Sequence, residues 1–549
     1  MRVLGINAVF HDPAAALVVD GRVVAAAEEE RFSRRKHGKR PVPFAAWELP
    51  EQAARWCLAA GGITADQLDA VGYSYDPAIV DHGVDGLDPA WEELRTLYAR
   101  RAPYFLATAL PGLDPAIVRF VRHHVAHAAS AGLAAPFGDC AVLVSDGRGE
   151  STSLLAGEYR GGKLIEHGAQ RLPHSLGLLY EDVTEHLGFQ RSSDEYKVMA
   201  LASYGQPRFL TQLREHVRST GDGGVRTEPP AWSTFAPVRL AGDPMLPEHA
   251  DLAASVQRRL EEVLLELAHW LHGQTGQRRL ALAGGTALNC VANTRLHAEG
   301  PFDELWVQPA AGDAGTALGA ALHLCSEVDC VPEPMRRADL GREWTEEQIQ
   351  DRLARANLPY QRSADVAADV ARALADDHVV AWFAGRGEFG PRALGHRSLL
   401  AHPGRRENLD RLNDIKGRER FRPVAPMVLA DRAAELFRRG PLPSPYMLFV
   451  HDVAPEWQDR IPAVTHVDGT ARIQTVDPAD EPLLAAVLTE FEYRTGLPVI
   501  VNTSLNTAGR PMVDDPVEAL ELFGAYPVDL LAIGPFTVRR ADFRAEDRL

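Results

Sequence analysis

At 549 residues, 46% hydrophobic and 24% charged, the chain has a globular composition and is too long for one hydrophobic core, so two or more domains are expected. A formal net charge of −17 excludes a generally basic nucleic-acid-binding face, and no apolar run approaches the length that spans a bilayer. Five cysteines without a Cys-x-x-Cys pair form no disulfide framework, and the opening MRVLGINAVF lacks the regions of a secretory signal, so a soluble, cytoplasmic chain with reduced thiols is expected.

The chain opens with a predicted strand, Arg2 to Asn7, then a hairpin in AAALVVDGRVVAAAEEE with Asp20-Gly21 as its tight turn. The arrangement recurs. CAVLVS (Cys140 to Ser145) reads as a strand, and SLLAGEYRGGKLIEHG as a hairpin with Gly161-Gly162 at its tip. Two units of like design suggest an internal duplication, which is the plan of the actin-like ATPases.

Between these units the strand-like IVRFVR leads into His123-His124-Val125-Ala126-His127 at the start of an Ala-rich helix. Residues four apart share a helix face, so His123 and His127 can grip one metal ion through neutral imidazole nitrogens. Two histidines rarely suffice. Asp146, ending CAVLVSD, and Asp313, in AAGDAG at a predicted helix N-terminus, are the expected acidic partners. Such a set is compatible with iron, zinc or manganese.

Ser203 to Ala250 is rich in Pro and Gly and reads as an insertion or flexible loop, and Asp251 to Gly273 as a helix. Two strand-to-helix turns follow, Ala283-Gly284-Gly285-Thr286 and Ala311-Gly312-Asp313-Ala314-Gly315. Helix starts of this kind offer N–H groups to phosphate. No GxxxxGK[ST] is present, which excludes a P-loop. The charged stretch Ser326 to Trp344 is the expected linker, giving domains 1–345 and 346–549.

Helices are expected near Thr345 to Ala356 and Asp365 to Asp376, followed by a buried strand in HVVAWFA. Then comes GRGEFGPRALGHRSLLAHP, in which Arg386, Arg392 and Arg397 are interleaved with Gly385, Gly387, Gly390 and Gly395. Arginine supplies a fixed fork of donors and glycine lets backbone approach a ligand, so the block reads as an oxyanion cradle at a strand end. Ile415 to Leu429 adds Lys416, Arg418, Arg420 and Arg422, which point to one side if the segment enters a strand at period 2. His466 and Arg472, with Asn502, Ser504 and Asn506 in VNTSLNTAGRPMV, complete a set suited to a triphosphate and a second anion.

HHVAHAAS, SDGRGE, EYKVMALASYG, AGGTALNCVANTRL, QPAAGDAGTALGAA, GRGEFGPRALGHRSLLAHP, KGRERFRPVAPMVL, HVDGTARIQTV and NTSLNTAGRPMVDDP together resemble the O-carbamoyltransferases of the NodU/CmcH type. The resemblance implies an α/β protein: an N-terminal duplicated actin-like domain (ASKHA, ribonuclease H-like), similar to tRNA threonylcarbamoyl-transferases, plus a C-terminal YrdC-like α/β domain. It implies that carbamoyl phosphate and ATP, with Mg2+, give carbamoyl-adenylate, phosphate and pyrophosphate in the C-terminal domain. The positions matching that pocket are Arg392, Arg397, Lys416, Arg422, Arg472, Asn502 and Ser504. The adenylate would then move to the N-terminal domain, where Gly284, Gly285, Asn289 and Gly312 are expected at the nucleotide. There His123, His127, Asp146 and Asp313 match the metal positions, with Fe2+ the family's metal and another divalent transition metal compatible. A hydroxyl of a small natural product, an antibiotic or a glycosylated metabolite, attacks the carbamoyl carbon and AMP leaves. His11 is the expected base or acceptor-orienting group, and Lys36 is expected to stabilise the adenylate phosphate.

Neither nucleic acid nor membrane is an expected partner. A non-catalytic actin-like nucleotide-binding regulator and a tRNA threonylcarbamoyl-type transferase are the alternatives. A hydrogenase-maturation carbamoyltransferase should carry zinc-finger cysteines, which this chain lacks. Gly205 to Ala250 matches no family block and is expected to bear on acceptor choice.

Overall fold

The computed structural model describes residues 1–38, 48–328 and 330–542. The chain forms two compact units, Met1–Arg336 and Arg337–Leu549. In the first unit, β1 (Arg2–Asn7), β2 (Ala14–Val19), β3 (Arg22–Glu28), β4 (Ala70–Tyr73) and β5 (Val118–Phe120) form a sheet ordered β3-β2-β1-β4-β5. The first three strands run antiparallel, while β4 and β5 extend the sheet in parallel from β1. Asp20 and Gly21 both hold positive φ (50° and 81°), the twist that a two-residue hairpin turn requires.

The second sheet repeats this plan. β6 (Cys140–Ser145), β7 (Thr152–Arg160) and β8 (Lys163–Arg171) form the antiparallel side. After a small hairpin of β9 (Val217–Ser219) and β10 (Val225–Thr227), β11 (Arg279–Ala283) and β12 (Glu304–Val307) join in parallel, giving the order β12-β11-β6-β7-β8. One strand, its hairpin and two parallel additions therefore occur twice, which is the duplicated actin-like plan.

Two helices bring the halves' functional ends together. His123–Gly132 follows β5, and Ala314–Ser326 follows β12. Both are apolar and almost wholly buried. They pack so closely that a Cβ at Gly319 would lie 1.7 Å from the Ala126 carbonyl oxygen. Only glycine permits this approach.

Ser203 to Ala250, expected as an insertion or flexible loop, is not a loop: it contains the helix Leu210–His216 and the β9–β10 hairpin, and the long helix already begins at Pro247. Leu213, Val217 and Val225 supply the buried contacts, and Arg259 Nε donates to the Val217 carbonyl at 2.7 Å.

The second unit is an α/β structure around an eight-stranded mixed sheet. Its strands are β13 (Gln361–Arg362), β14 (Val380–Phe383), β15 (Arg397–Ala401), β16 (Ala425–Leu429), β20 (Gln474–Val476), β21 (Val499–Ser504), β22 (Leu530–Ile533) and β23 (Phe536–Arg539). They are ordered β13-β23-β22-β14-β15-β21-β16-β20, and β17 (Phe437–Arg438), β18 (His451–Val453) and β19 (Thr470–Ala471) form a small sheet beside them. Helices Val366–Ala375 and Pro482–Thr495 pack on one another, with Phe491, Phe383 and Trp382 in the core. Among the described residues no helix is long and apolar enough to cross a membrane.

Candidate functional site

His123 and His127 stand one turn apart on their helix, completely buried. Asp146 directly follows β6, and Asp313 directly precedes the helix Ala314–Ser326 without capping it. The fold brings all four together. His123 Nε2 lies 3.5 Å from both Asp146 Oδ2 and Asp313 Oδ1, and His127 Nε2 lies 3.9 and 3.6 Å from the same atoms. His123 Nε2, His127 Nε2 and Asp313 Oδ1 are buried without hydrogen-bond partners. Orphaned polar atoms facing one another are costly unless something satisfies them. Bonds of about 2.1 Å in a tetrahedral set put neighbouring donors about 3.4 Å apart, close to these separations. Two imidazoles and two carboxylates therefore fit a divalent transition metal.

Surrounding groups aim these side chains. His123 Nδ1 donates to the Ser74 carbonyl at 3.2 Å, which turns the Nε2 lone pair inward. Glu150 Oε1 accepts the backbone N–H of His123 and of Asp76, both at 2.8 Å, and so fixes the start of the helix. Asp146 Oδ1 accepts the Gly285 N–H at 2.7 Å, leaving Oδ2 for the histidines. Burial disfavours the His123 imidazolium, but Asp313 and Asp146 outweigh it and hold the pKa well above the ordinary value. Burial likewise works against the Asp313 carboxylate, yet His11 and His123 hold its pKa well below the usual range.

The glycine turns serve this arrangement. Gly284 has φ 91°, and a Cβ there would lie 2.2 Å from the Ser145 carbonyl oxygen, so the two strand ends close up only around glycine. A Cβ at Gly312 would meet nothing nearer than Leu288 Cδ1 at 3.8 Å, which leaves that turn open to a ligand. Asn289, expected at the nucleotide, is instead committed inside the protein. Its Oδ1 caps the helix Cys290–Glu299 through the Ala292 N–H (3.1 Å), and its Nδ2 donates to Gln257 Oε1 (2.8 Å).

His11 lies at the edge of the cluster, its N–H 3.4 Å and its Nε2 3.8 Å from Asp313 Oδ2. Lys36 Nζ donates to Glu30 Oε1 at 3.1 Å. Burial disfavours the Lys36 ammonium, but Glu30 and Asp12 raise its pKa overall. Sequence reasoning missed Asp12, Glu30 and His37, which stand between His11 and Lys36.

In the second unit, register decides which side chains share a face. Ser398 opposes Ser504 and Leu400 opposes Asn502 across β15–β21, Ala425 opposes Asn502 across β16–β21, and Met427 opposes Gln474 across β16–β20. Asn502, Ser504, Ser398 and Gln474 therefore lie on one face of the sheet. The sequence pointed to the first two and missed the others. Asn502 Nδ2 donates to Gln474 Oε1 (2.7 Å) and the Ala393 carbonyl (3.2 Å), while Gln474 Nε2 donates to the Leu394 carbonyl (2.7 Å). These bonds lay the Arg392 loop over that face. Buried Glu388, also missed, braces the loop by accepting the N–H groups of Leu394, His396 and Arg397 at 2.8 to 3.1 Å.

Buried Lys416 donates to Ser504 Oγ (3.0 Å) and to Asn506 Oδ1 (2.7 Å). Half-buried Arg472 makes no hydrogen bond or ion pair with the described residues. Arg422 stands just ahead of β16, 3.5 Å from Glu419 Oε2. The start of β15, the starts of β16 and β20 and the end of β21 all lie at one end of the sheet, so Arg392, Lys416, Arg422, Arg472, Asn502 and Ser504 gather there.

Two expectations for the second unit are corrected. Arg397, expected among the anion ligands, has no exposed surface and stacks on Phe383 at 3.7 Å. Its guanidinium donates to the carbonyls of Ala384, Gly385, His396 and Arg342, because its side chain points away from the Asn502 face and into the core. Lys416, Arg418, Arg420 and Arg422 do not alternate along a strand. Lys416 ends the helix Glu407–Lys416, Gly417 caps it at φ 60°, and β16 starts only at Ala425.

Residues 2–109 and 109–322 match the family model for the carbamoyltransferase N-terminus, and residues 371–540 match that for the carbamoyltransferase C-terminus. Over 98% of its length the chain is 37% identical to the uncharacterized protein sll1178 of Synechocystis sp., covering 96% of that protein. It is 36% identical to the nodulation protein NolNO of Sinorhizobium fredii over 98% of its own length and 81% of the relative's. Nodulation protein U of Rhizobium tropici is 31% identical over 95% of this chain and 93% of its own. Among solved structures, HypF of T. kodakarensis aligns with 60% of this chain and 49% of its own at 16% identity and a TM-score of 0.38, too distant to bear on the chemistry.

Proposed function

Because the chain belongs to the carbamoyltransferase family, we propose that it is an ATP-dependent O-carbamoyltransferase that adenylates a carbamoyl group in the second unit and passes it to a small hydroxylated natural product in the first. Carbamoyl phosphate and water give carbamate and phosphate. A carbamate oxygen then bonds the α-phosphorus of ATP, held with Mg2+, and pyrophosphate departs. Arg392, Arg422 and Arg472 offset phosphate charge as it moves from carbamoyl phosphate to pyrophosphate, which is electrostatic catalysis by groups already in place. Lys416, fixed by Ser504 and Asn506, holds the end of β21 against the anions. Arg397 contributes by holding the loop, through its bonds to backbone carbonyls.

In the first unit His11 accepts the acceptor's hydroxyl proton, the acceptor oxygen bonds the carbamoyl carbon, and AMP leaves. A divalent transition metal held by His123, His127, Asp146 and Asp313 supplies Lewis acidity that draws charge from a carbamoyl or phosphate oxygen. Lys36, whose ammonium is paired with Glu30, is the cation we assign to the adenylate phosphate. Both substrates are metabolites of the cytoplasm, which is the proposed location.

The observation that carries this reading is the buried His123–His127–Asp146–Asp313 cluster, in a chain whose two halves match the two carbamoyltransferase models. The test is pyrophosphate release from ATP with and without carbamoyl phosphate. Release that requires carbamoyl phosphate, is lost in Arg392→Ala and persists in His123→Ala supports it. ATP binding without pyrophosphate release under any condition favours a nucleotide-binding regulator instead.

A further inference from the structure

A hydrogen-bonded chain runs from His11 away from the metal cluster. His11 Nδ1 lies 3.0 Å from Asp12 Oδ2, Asp12 Oδ1 lies 2.9 Å from His37 Nδ1, and His37 Nε2 lies 2.8 Å from Ser193 Oγ. The backbone reinforces it. The Asp12 N–H donates to the His37 carbonyl (3.2 Å), and the His37 N–H donates to Glu30 Oε2 (2.7 Å). Asp12 (φ 48°), His37 (φ 60°) and Ser192 (φ 56°) all hold the left-handed conformation although none is glycine. Such backbone persists only where its surroundings impose it, and it concentrates at functional sites. Two of these residues, Asp12 and His37, are bonded to one another in the network, and the third directly precedes its last member, Ser193.

The polarity of the chain follows from its chemistry. An ionised carboxylate only accepts, so both imidazoles donate from Nδ1 to Asp12. Each ring is then basic at Nε2, and His37 Nε2 accepts the Ser193 hydroxyl proton. His11 is set in the tautomer whose basic nitrogen, Nε2, stands 3.8 Å from Asp313 Oδ2 beside the metal cluster. We propose that Asp12 and His37 are positioning residues for the transfer step: Asp12 selects the Nδ1–H tautomer of His11, and His37, anchored on Ser193, holds the Asp12 carboxylate in place. The inference rests on reading the first unit as the transfer site. In that step the acceptor O–H proton passes to His11 Nε2 and the acceptor oxygen bonds the carbamoyl carbon. The bond from that carbon to the AMP phosphate oxygen breaks, and its electron pair leaves on AMP. A proton already on Nε2 would block the transfer.

The test reads the tautomer directly, by nitrogen-15 NMR of the full chain labelled at histidine and loaded with zinc, with His11→Gln assigning the His11 signals. The expected result is His11 protonated at Nδ1 in the wild type. Asp12→Asn offers one accepting oxygen to two Nδ1–H donors, so one of the two rings, His11 or His37, moves its proton to Nε2. His37→Ala gives mixed tautomers, whereas His37→Asn keeps the wild-type state, because asparagine offers an N–H near the place of Nδ1 and tolerates left-handed backbone. Where the wild type transfers carbamoyl groups, His37→Ala lowers kcat by about tenfold or more, within the range of proton-transfer contributions. KM and pyrophosphate release stay unchanged, and His37→Asn rescues. His11 protonated at Nε2 in the wild type, His11 and His37 tautomers both unchanged in Asp12→Asn, or a His11 tautomer unchanged in His37→Ala, overturns the proposal. So does a His37→Asn variant as impaired as His37→Ala, which would make His37 an acid–base group itself. The NMR reading needs no turnover, so failure of carbamoyl transfer and failure of this inference are seen separately.

Discussion

Substituting Gly319 by alanine tests how the proposed metal-binding cluster is held. The new Cβ would sit 1.7 Å from the Ala126 carbonyl oxygen and 2.8 Å from the Ser130 nitrogen, both backbone atoms of the facing helix. Restoring ordinary contact at about 3.4 Å requires the helices to part by roughly 1.5 Å. One helix carries His123 and His127, and Asp313 heads the other. Their separations of 3.5 and 3.6 Å would open to about 5 Å, whereas metal–ligand bonds tolerate only about 0.2 Å. Overpacking costs about 1–3 kcal/mol of stability. Loss of Asp313 as a ligand should lower zinc affinity by about 100-fold or more, some 3 kcal/mol at 1.4 kcal/mol per tenfold. Titration calorimetry with zinc and a thermal melt of the zinc-free chain read the two effects. Gly273→Ala is the control, since its Cβ meets nothing within 4 Å inside the helix Pro247–Thr275. It should gain up to about 1 kcal/mol and leave zinc binding alone. A Gly319→Ala chain that keeps its zinc affinity within about threefold would refute the claim that this helix contact sets the ligand geometry.

Other outcomes are expected in both units. Burial raises the Glu29 carboxyl from 4.5 to about 7, against hydrogen bonds from Ala53 and Gln52. The folded chain therefore binds a proton that the unfolded chain releases, and stability falls as pH rises from 4.5 to about 7. Glu29→Gln, neutral throughout, carries a constant cost because its NH2 faces an N–H that a carboxylate oxygen accepted, but relative to wild type it should stand about 3 kcal/mol better at pH 8 than at pH 4.5 in urea melts; an equal difference at both pH values contradicts the sign. Arg397→Ala leaves several buried carbonyls unpaired and should cost about 2–4 kcal/mol, while Arg472→Ala should leave the melting temperature alone and weaken ATP binding by about tenfold or more. The reverse pattern, measured by melts and ATP titration, would exchange the structural and binding roles assigned to these arginines.

Much of the first unit was legible because its signals are local. The Asp20-Gly21 turn and the flanking apolar runs fix a hairpin, and its recurrence at Gly161-Gly162 exposes the duplication. The spacing of His123 and His127 needs only a helix, and Asp146 and Asp313 sit at strand and helix ends where a ligand can be reached. What escaped was long-range. His37 and Ser193 are 156 residues apart, and nothing local in either marks the bond between them. Arg397 and Arg392 look alike in sequence, yet the strand pairing of β15 turns one into the core. At Lys416 a local signal existed, because a glycine directly after a helical pattern ends the helix. The short apolar residues Leu213, Val217 and Val225 were too sparse to outweigh the surrounding Pro and Gly, so ordered structure there read as loop.

The central claim is most directly tested by phosphorus NMR of the purified chain with ATP, Mg2+, carbamoyl phosphate and a divalent transition metal. The account predicts AMP, pyrophosphate and phosphate accumulating together, with no nucleotide consumed when carbamoyl phosphate is omitted. ADP as the nucleotide product, or ATP consumption indifferent to carbamoyl phosphate, would contradict adenylation as the activating step.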